Sequence, residues 1–282
     1  LEVTQATQTF TFTGQKERPV ASVLRGFSAP VVLDHKANNA FLLAHDTDPF
    51  NRWQASDTLA EASLIANITR GKPVDPAYLA GLSKIIGDES LDPAYRTLML
   101  DFPNGAELAT KLHAIGEIPD PDAIWSAVDG MKQAQADAFA PQLQSIYDAN
   151  QISGDYKPDA EQSGKRSLAN LVMSLINRSD GGAQAQVQYD NATNMTQQLS
   201  ALASLIRAGI GDTALAQFEA QWKDDRLVMD KWFGLQVIEA HPDDAADTAA
   251  ALTRHAAFNW KNPNRFRATL GALAMHHAGF HA

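Results

Sequence analysis

From about residue 37 onward, apolar residues recur at intervals of three and four along the chain. This spacing places them on one face of an α-helix, where they form the stripe that packs against a core. The clearest stripes fall within residues 53–68, 168–176 and 199–206. The pattern therefore predicts a succession of amphipathic helices over most of the chain.

The first 36 residues show a different pattern, because polar and apolar residues alternate across residues 7–12. Alternation with a period of two is typical of a half-buried β-strand. Residues 22–24 and 31–33 are further short β-prone runs, and Pro30 precedes the second of them. Because three short strands cannot close a β-sandwich by themselves, we expect residues 1–36 to be the end of a β-sandwich domain.

Start and stop signals divide the remaining residues into separate helices. Gly71, Gly209 and Gly211 stand where helices are expected to stop. Four pairs combine a capping side chain with a proline suited to the first helical position: Asp75-Pro76, Asp92-Pro93, Asp120-Pro121 and Asn262-Pro263. The short connections between these signals favour antiparallel neighbours.

These features predict a mainly α fold, in which a short β-segment precedes an irregular superhelix of antiparallel helix pairs resembling HEAT or armadillo stacks. The α-helical domain is expected to cover residues 37–282 and to be truncated. Because Leu1 is not an initiator methionine, we expect the chain to be part of a longer polypeptide. A plain helical bundle is the alternative that the pattern leaves open.

Composition narrows the possible partners. With 33 acidic and 23 basic residues the formal net charge is −10, which argues against a nucleic-acid binder and against docking on an anionic membrane. No apolar run approaches the length of about 18 residues that a membrane helix needs. The chain has no cysteine, which excludes disulfides and thiolate metal sites within it. This fits a reducing compartment, so a cytoplasmic location is expected.

Motifs of common catalytic centres are missing from the sequence: it contains no His-Glu-Xaa-Xaa-His zinc motif, phosphate-binding loop, Rossmann glycine run or Gly-Xaa-Ser-Xaa-Gly elbow. His277 and His281 are four residues apart and could share a metal, but no carboxylate lies near them in sequence. We therefore expect a polar helix end there and no metal site in this chain. After His241, we expect Asp243 or Asp244 to cap the next helix.

Arg265 and Arg267 are the strongest candidates for a binding site. They follow Asn262 and Pro263 in the first turn of a predicted helix, where positive charge opposes the helix dipole. Together with the unpaired N–H groups of that turn, they would suit a carboxylate. Residues two apart on a helix diverge in direction, so both cannot point into one pocket. The alternative is that each arginine pairs with an acid on a neighbouring helix.

Two runs make the chain recognisable: Val-Met-Asp-Lys-Trp-Phe at residues 228–233 and Asn-Pro-Asn-Arg-Phe-Arg at residues 262–267. With them, the chain resembles the C-terminal helical domain of the bacterial aminopeptidase N family, the gluzincin zinc aminopeptidases also called alanyl aminopeptidases. Shorter segments match in order along the chain: residues 3–6, 27–31, 50–53, 194–196 and 280–282. The resemblance therefore extends from end to end.

The resemblance implies a parent protein with an N-terminal β-domain, a thermolysin-like catalytic domain, a small β-sandwich and a large helical domain. That parent would be a zinc metallo-aminopeptidase, a hydrolase that removes N-terminal amino acids from peptide substrates. This chain lacks the family's zinc ligands, catalytic glutamate, oxyanion-stabilising tyrosine and amine-binding Gly-Xaa-Met-Glu-Asn motif. It is therefore expected to hold no catalytic residue, to bind no zinc itself and to be inactive alone.

In this family the helical domain closes over the zinc site and encloses a chamber, and some of its arginines line the side where the rest of the peptide lies. The resemblance thus implies that this chain encloses the chamber and contributes to the substrate channel. The family's second arginine in its version of the 262–267 run matches Arg267, so Arg267 is expected to bind substrate, with Arg265 second. The alternative is a stand-alone α-helical scaffold that binds a protein partner in a concave groove.

Overall fold

The computed structural model describes residues 2–31, 33 and 36–282. Within these residues the chain is a succession of α-helices, so the mainly α prediction is confirmed. A 3-10 turn (Arg25–Phe27) comes first, and a π-helical turn (Arg267–Gly271) joins two of the last helices. The α-helices are α1 (Asn39–His45), α2 (Pro49–Arg70), α3 (Pro76–Gly87), α4 (Pro93–Met99), α5 (Gly105–Ala114), α6 (Pro121–Ala149), α7 (Ala160–Asp180), α8 (Ala183–Asn191), α9 (Met195–Arg207), α10 (Asp212–Trp222), α11 (Arg226–Ile238), α12 (Pro242–Leu252), α13 (Pro263–Phe266), α14 (Ala272–Met275) and α15 (His277–His281).

The predicted caps lie at the starts of the helices. Side-chain oxygens of Asp75, Asp92 and Asp120 accept hydrogen bonds of 2.8–2.9 Å from backbone N–H groups in the first turns of α3, α4 and α6. In each case a proline opens the helix. Gly71 ends α2 with a φ of 63°, a left-handed conformation that glycine adopts without strain. Short-range sequence signals therefore determine where these helices begin and end.

Helices that follow one another in sequence pack as pairs: α1 on α2, α6 on α7, α8 on α9 and α11 on α12. The pair α6 and α7 is central, because α6 also contacts α2, α3 and α5, while α7 also contacts α4 and α9. The predicted apolar stripes face this interior, where Leu168, Val172, Leu202 and Leu205 join the continuous core. Among the described residues, no helix combines the length and the apolar character needed to span a bilayer.

The predicted short β-segment is not confirmed. No strand forms within residues 2–31 or at the other described positions before α1, and Val32, part of the predicted run 31–33, lies outside the described residues. A strand is stable when a neighbour satisfies its backbone N–H and C=O groups. No described segment pairs with residues 7–12, and the side chain of Phe12 is 64% exposed. Alternating polarity alone therefore does not produce a strand here.

The N-terminal segment contacts the first helices through residues 22–25. Arg25 forms an ion pair of 2.6 Å with Asp46, whose side chain is fully buried. The Asn51 side chain donates hydrogen bonds to the Ser22 hydroxyl at 3.0 Å and to the Val23 carbonyl at 2.9 Å. These contacts attach residues 22–25 to the connection between α1 and α2 and to the first turn of α2.

Candidate functional site

Arg265 lies inside the helical body. Its side chain is 5% exposed, and its Nε donates to Oδ1 of Asp230 on α11 at 2.6 Å. The other guanidinium nitrogens donate to the backbone carbonyls of Ala257 and Arg226, and the guanidinium carbon lies 4.4 Å from the centre of the Phe233 ring. The alternative that the arginine pairs with an acid on a neighbouring helix therefore holds for Arg265.

Two features fix the position of Arg265: the N-cap of α13, and a close contact between α11 and the π-helical turn. Asn262 caps α13 by accepting a hydrogen bond from the Asn264 N–H at 3.0 Å, and Pro263 opens the helix. A Cβ added to Gly234 would lie 3.0 Å from the carbonyl oxygen of Ala268, so the glycine lets α11 approach the π-helical turn closely. The helices that contain the two recognisable runs therefore pack directly against each other.

Arg267 begins the π-helical turn and is exposed. No hydrogen bond or ion pair joins its guanidinium to another residue in the part of the chain that the structure describes. The structure thus separates the two arginines as their spacing predicts, since Arg265 points into the core and Arg267 towards the surface. π-helical turns are frequent at functional sites. The substrate-binding role of Arg267 stays a prediction.

The cap of α12 differs from the predicted one. His241, rather than Asp243 or Asp244, is the N-cap residue, and its Nδ1 accepts a hydrogen bond from the Asp243 N–H at 3.4 Å. Pro242 occupies the first helical position, so both aspartates fall in the first turn, where their negative charge favours the helix dipole. The expectation failed because an imidazole nitrogen can accept this hydrogen bond although histidine is not among the usual capping residues.

Among the C-terminal histidines, His276 contacts backbone groups. His276 caps α15, since its Nδ1 accepts a hydrogen bond of 3.1 Å from the Gly279 N–H. The neutral ring therefore carries its proton on Nε2, which lies 3.1 Å from the Ala240 carbonyl oxygen and donates to it. Across the described residues, no three His, Cys, Asp or Glu side chains form a group able to hold a metal ion. The side chains of the described residues therefore do not fit the zinc ion that the resemblance implies for the parent protein.

A groove follows the contact between α6 and α7. It consists of two adjoining cavities, one of about 620 Å³ near the connection between α11 and α12 and one of about 600 Å³ near α4. We call the two together the α6–α7 groove. Four residues line both cavities and therefore mark their junction: Val128, Lys132, Arg178 and Arg207. Cavities of this size are typical of small-ligand sites.

Three cations meet at this junction. Arg178 forms an ion pair with Asp129, and Arg207 forms one with Glu239. Lys132 forms neither an ion pair nor a hydrogen bond with any other described residue. Burial lowers the pKa of the Lys132 ammonium from its ordinary value of 10.5, and the Arg207 guanidinium lowers this pKa further. The groove thus contains a partly desolvated cation that no direct contact neutralises.

This groove was not predicted from the sequence. A usable signal was present, because Lys132 lies one turn after Val128 and one turn before the buried Gln135 on the interior face of α6. Lysine on such a face is uncommon unless it has a partner. The other two cations come from α7 and from the end of α9, and only the tertiary fold brings the three together.

Residues 36–282 match the family model described as "Domain of unknown function (DUF3458_C) ARM repeats". Residues 1–36 match the model described as "Domain of unknown function (DUF3458) Ig-like fold". The first description agrees with the armadillo-like helical superhelix predicted from the sequence.

The chain is also similar to part of several bacterial aminopeptidases. It is 33% identical over 296 residues to Aminopeptidase N of Escherichia coli (strain K12), an alignment that covers 100% of this chain and 33% of that protein. It is 34% identical over 289 residues to Aminopeptidase N of Haemophilus influenzae, which covers 98% of this chain and 32% of that protein. The crystal structure of Legionella pneumophila aminopeptidase A in complex with aspartic acid superposes with a TM-score of 0.77 at 28% identity, over 92% of this chain and 32% of that chain. The chain thus spans about a third of the length of the curated relatives it matches.

Proposed function

Because this chain belongs to the DUF3458_C family of ARM-repeat domains, we propose that it is the non-catalytic C-terminal helical part of a zinc-dependent aminopeptidase that removes N-terminal amino acids from peptides. One observation carries the proposal: the whole chain aligns at 33% identity with about a third of an aminopeptidase N. The bond-cleaving residues then lie in the rest of the longer protein. A stand-alone helical scaffold would account neither for the greater length of these relatives nor for the fact that they are aminopeptidases.

The division into domains is part of the same proposal. Residues 1–36 would be the last part of a β-sandwich and residues 37–282 the helical domain, and the Ig-like family match to the first segment supports this division. The strands predicted in that segment would form once the remaining strands of the sandwich supply hydrogen-bonding partners. A cytoplasmic location stays a prediction.

The zinc ion of such an enzyme would be held outside this chain. When bound, zinc polarises a carbonyl group and activates water. Among the described residues, no three His, Cys, Asp or Glu side chains form a group that could hold a metal ion. In this proposal, the chain contributes the shape of the chamber and contacts to the peptide. Its helices would close over the catalytic domain and form part of a chamber wall. An enclosed chamber admits short or unfolded peptides and excludes folded proteins.

Arg267 would contribute to the substrate channel. Its exposed guanidinium sits at the start of a π-helical turn, and the neighbouring ion pair between Arg265 and Asp230 anchors the preceding helix in the core. A guanidinium in a fixed position can hold a peptide carboxylate or carbonyl beyond the scissile bond. In this proposal Arg267 touches the peptide, and Arg265 acts by positioning the helix.

In the whole protein, Arg267→Ala is expected to raise KM for peptides by about ten- to a hundredfold, the effect of one lost charge-assisted hydrogen bond. The kinetics on a small chromogenic alanyl amide should stay unchanged, because this substrate does not extend beyond the scissile bond. Steady-state kinetics with both substrates measures the difference.

Arg70→Ala is the matched control, since Arg70 is an exposed arginine in the last turn of α2. It should leave KM unchanged for both substrates. If Arg267→Ala and the unsubstituted whole protein show equal kinetics on peptides, Arg267 does not contribute to the substrate channel.

A further inference from the structure

Lys132 occupies an unusual place in the fold. It lies on the inner side of α6 and lines both cavities of the α6–α7 groove. Its charged neighbours at the junction are already paired with each other, Arg178 with Asp129 and Arg207 with Glu239. A lysine in such a position normally has a direct partner, because partial burial of an ammonium is costly. Within the described residues it has none.

The chemistry of the junction indicates what could complete it. Three cationic groups from α6, α7 and the end of α9 line a common space. The two arginines among them are already paired, Arg178 with Asp129 and Arg207 with Glu239. Guanidinium groups offer a planar fork of N–H donors that fits the oxygens of a carboxylate or phosphate, and an ammonium adds a compact charge. An incoming oxyanion could therefore contact Lys132 without breaking either ion pair.

We propose that the junction of the α6–α7 groove is an oxyanion-binding site, in which Lys132 is the principal ligand for a carboxylate or phosphate group and Arg178 and Arg207 flank it. The inference rests on the groove alone and does not depend on the aminopeptidase proposal. The cavities, of about 620 and 600 Å³, have room for a small molecule that carries this group.

Titration of the 282-residue chain with sodium succinate and with sodium phosphate, each against sodium chloride at equal ionic strength, tests the site. We expect at least one of the two oxyanions to bind saturably by calorimetry. Lys132→Met should weaken this binding by about ten- to a hundredfold, because it removes one charge-assisted hydrogen bond. Lys84→Met is the matched control, since Lys84 is exposed on α3 and lies outside the groove, and it should bind as the parent does.

Thermal unfolding separates a ligand role from a structural one. If Lys132 is a ligand, Lys132→Met should be at least as stable as the parent without oxyanion and should lose the oxyanion-induced rise in Tm. A structural lysine would instead give a variant that is less stable in every buffer. The comparison thus keeps the test decisive even if the substitution changes the stability of the fold.

The pH dependence has a defined sign. The folded-state pKa of Lys132 is lowered from 10.5, so the unfolded chain holds this proton more tightly and the contribution of Lys132 to stability should rise as pH increases towards 10.5. The charged or titratable groups around Lys132 are Asp129 on its own helix, Arg178 and Arg207 at the junction, Glu239 and His241 in the first cavity, and Asp101 in the second. The difference in unfolding free energy between the unsubstituted chain and Lys132→Met should therefore change with pH in this direction, whereas the difference for Lys84→Met should not.

The outcomes of the titration are distinct. A response to succinate alone identifies the group as a carboxylate, a response to phosphate alone identifies it as a phosphate, and both results support the site. The proposal is overturned if neither oxyanion acts differently from chloride. It is also overturned if Lys132→Met binds as tightly as the parent, or if Lys84→Met loses binding to the same extent.

Discussion

Arg265→Ala is expected to lower the free energy of unfolding by about 3–5 kcal/mol, the effect of breaking a buried ion pair by removing one partner. The substitution would leave Asp230, whose side chain is 16% exposed, without its 2.6 Å contact. It would also remove the donors to the Ala257 and Arg226 carbonyls. Urea denaturation of the parent chain and the variant measures the difference.

Arg267→Ala provides the matched control, because it makes the same substitution two residues away at an exposed position. It should change the free energy of unfolding by no more than about 0.5 kcal/mol, as surface substitutions usually do. Equal destabilisation by the two variants would contradict the assignment of Arg265 to the core and Arg267 to the surface.

Phe233→Ala is expected to destabilise the chain by about 3–5 kcal/mol, the range for a phenylalanine removed from a packed core. Phe233 is fully buried, its ring centre lies 5.0 Å from that of Trp232 and 5.4 Å from that of His255, and the Arg265 guanidinium lies 4.4 Å from it. The cavity left behind would therefore open beside a buried charge. Thermal or urea unfolding measures the loss.

Phe12→Ala is the control for Phe233→Ala, since the Phe12 side chain is 64% exposed, and it should be nearly neutral. In addition, the double variant Phe233→Ala/Arg265→Ala should depart from additivity by about 0.5–2 kcal/mol, because the two side chains are in contact through the cation–π interaction. If the two changes in unfolding free energy are strictly additive in the double variant, this contact contributes nothing measurable to stability.

Features that depend on a few neighbouring residues were predictable from the sequence. The caps at Asp75, Asp92, Asp120 and Asn262 follow from one side chain and the proline beside it. The helical stripes follow from a period that any amphipathic helix shares. The divergence of Arg265 and Arg267 follows from helix geometry.

Features that depend on distant partners were not predictable. Arg265 pairs with Asp230, which is 35 residues away in sequence, and no local pattern specifies that distance. Lys132, Arg178 and Arg207 come from different elements and meet only in the folded chain. The predicted strand at residues 7–12 is not confirmed for the same reason, since a strand depends on a partner that its own sequence does not supply.

The most direct test measures zinc-dependent hydrolysis of a chromogenic alanyl amide by the whole protein and, separately, by the 282-residue chain. If these helices wall a chamber whose metal centre is encoded elsewhere in the protein, the whole protein should turn the amide over, and a zinc chelator should abolish the activity. The separate chain should show no turnover at any zinc concentration. Zinc-dependent turnover by the separate chain, or an inert whole protein, would contradict the account.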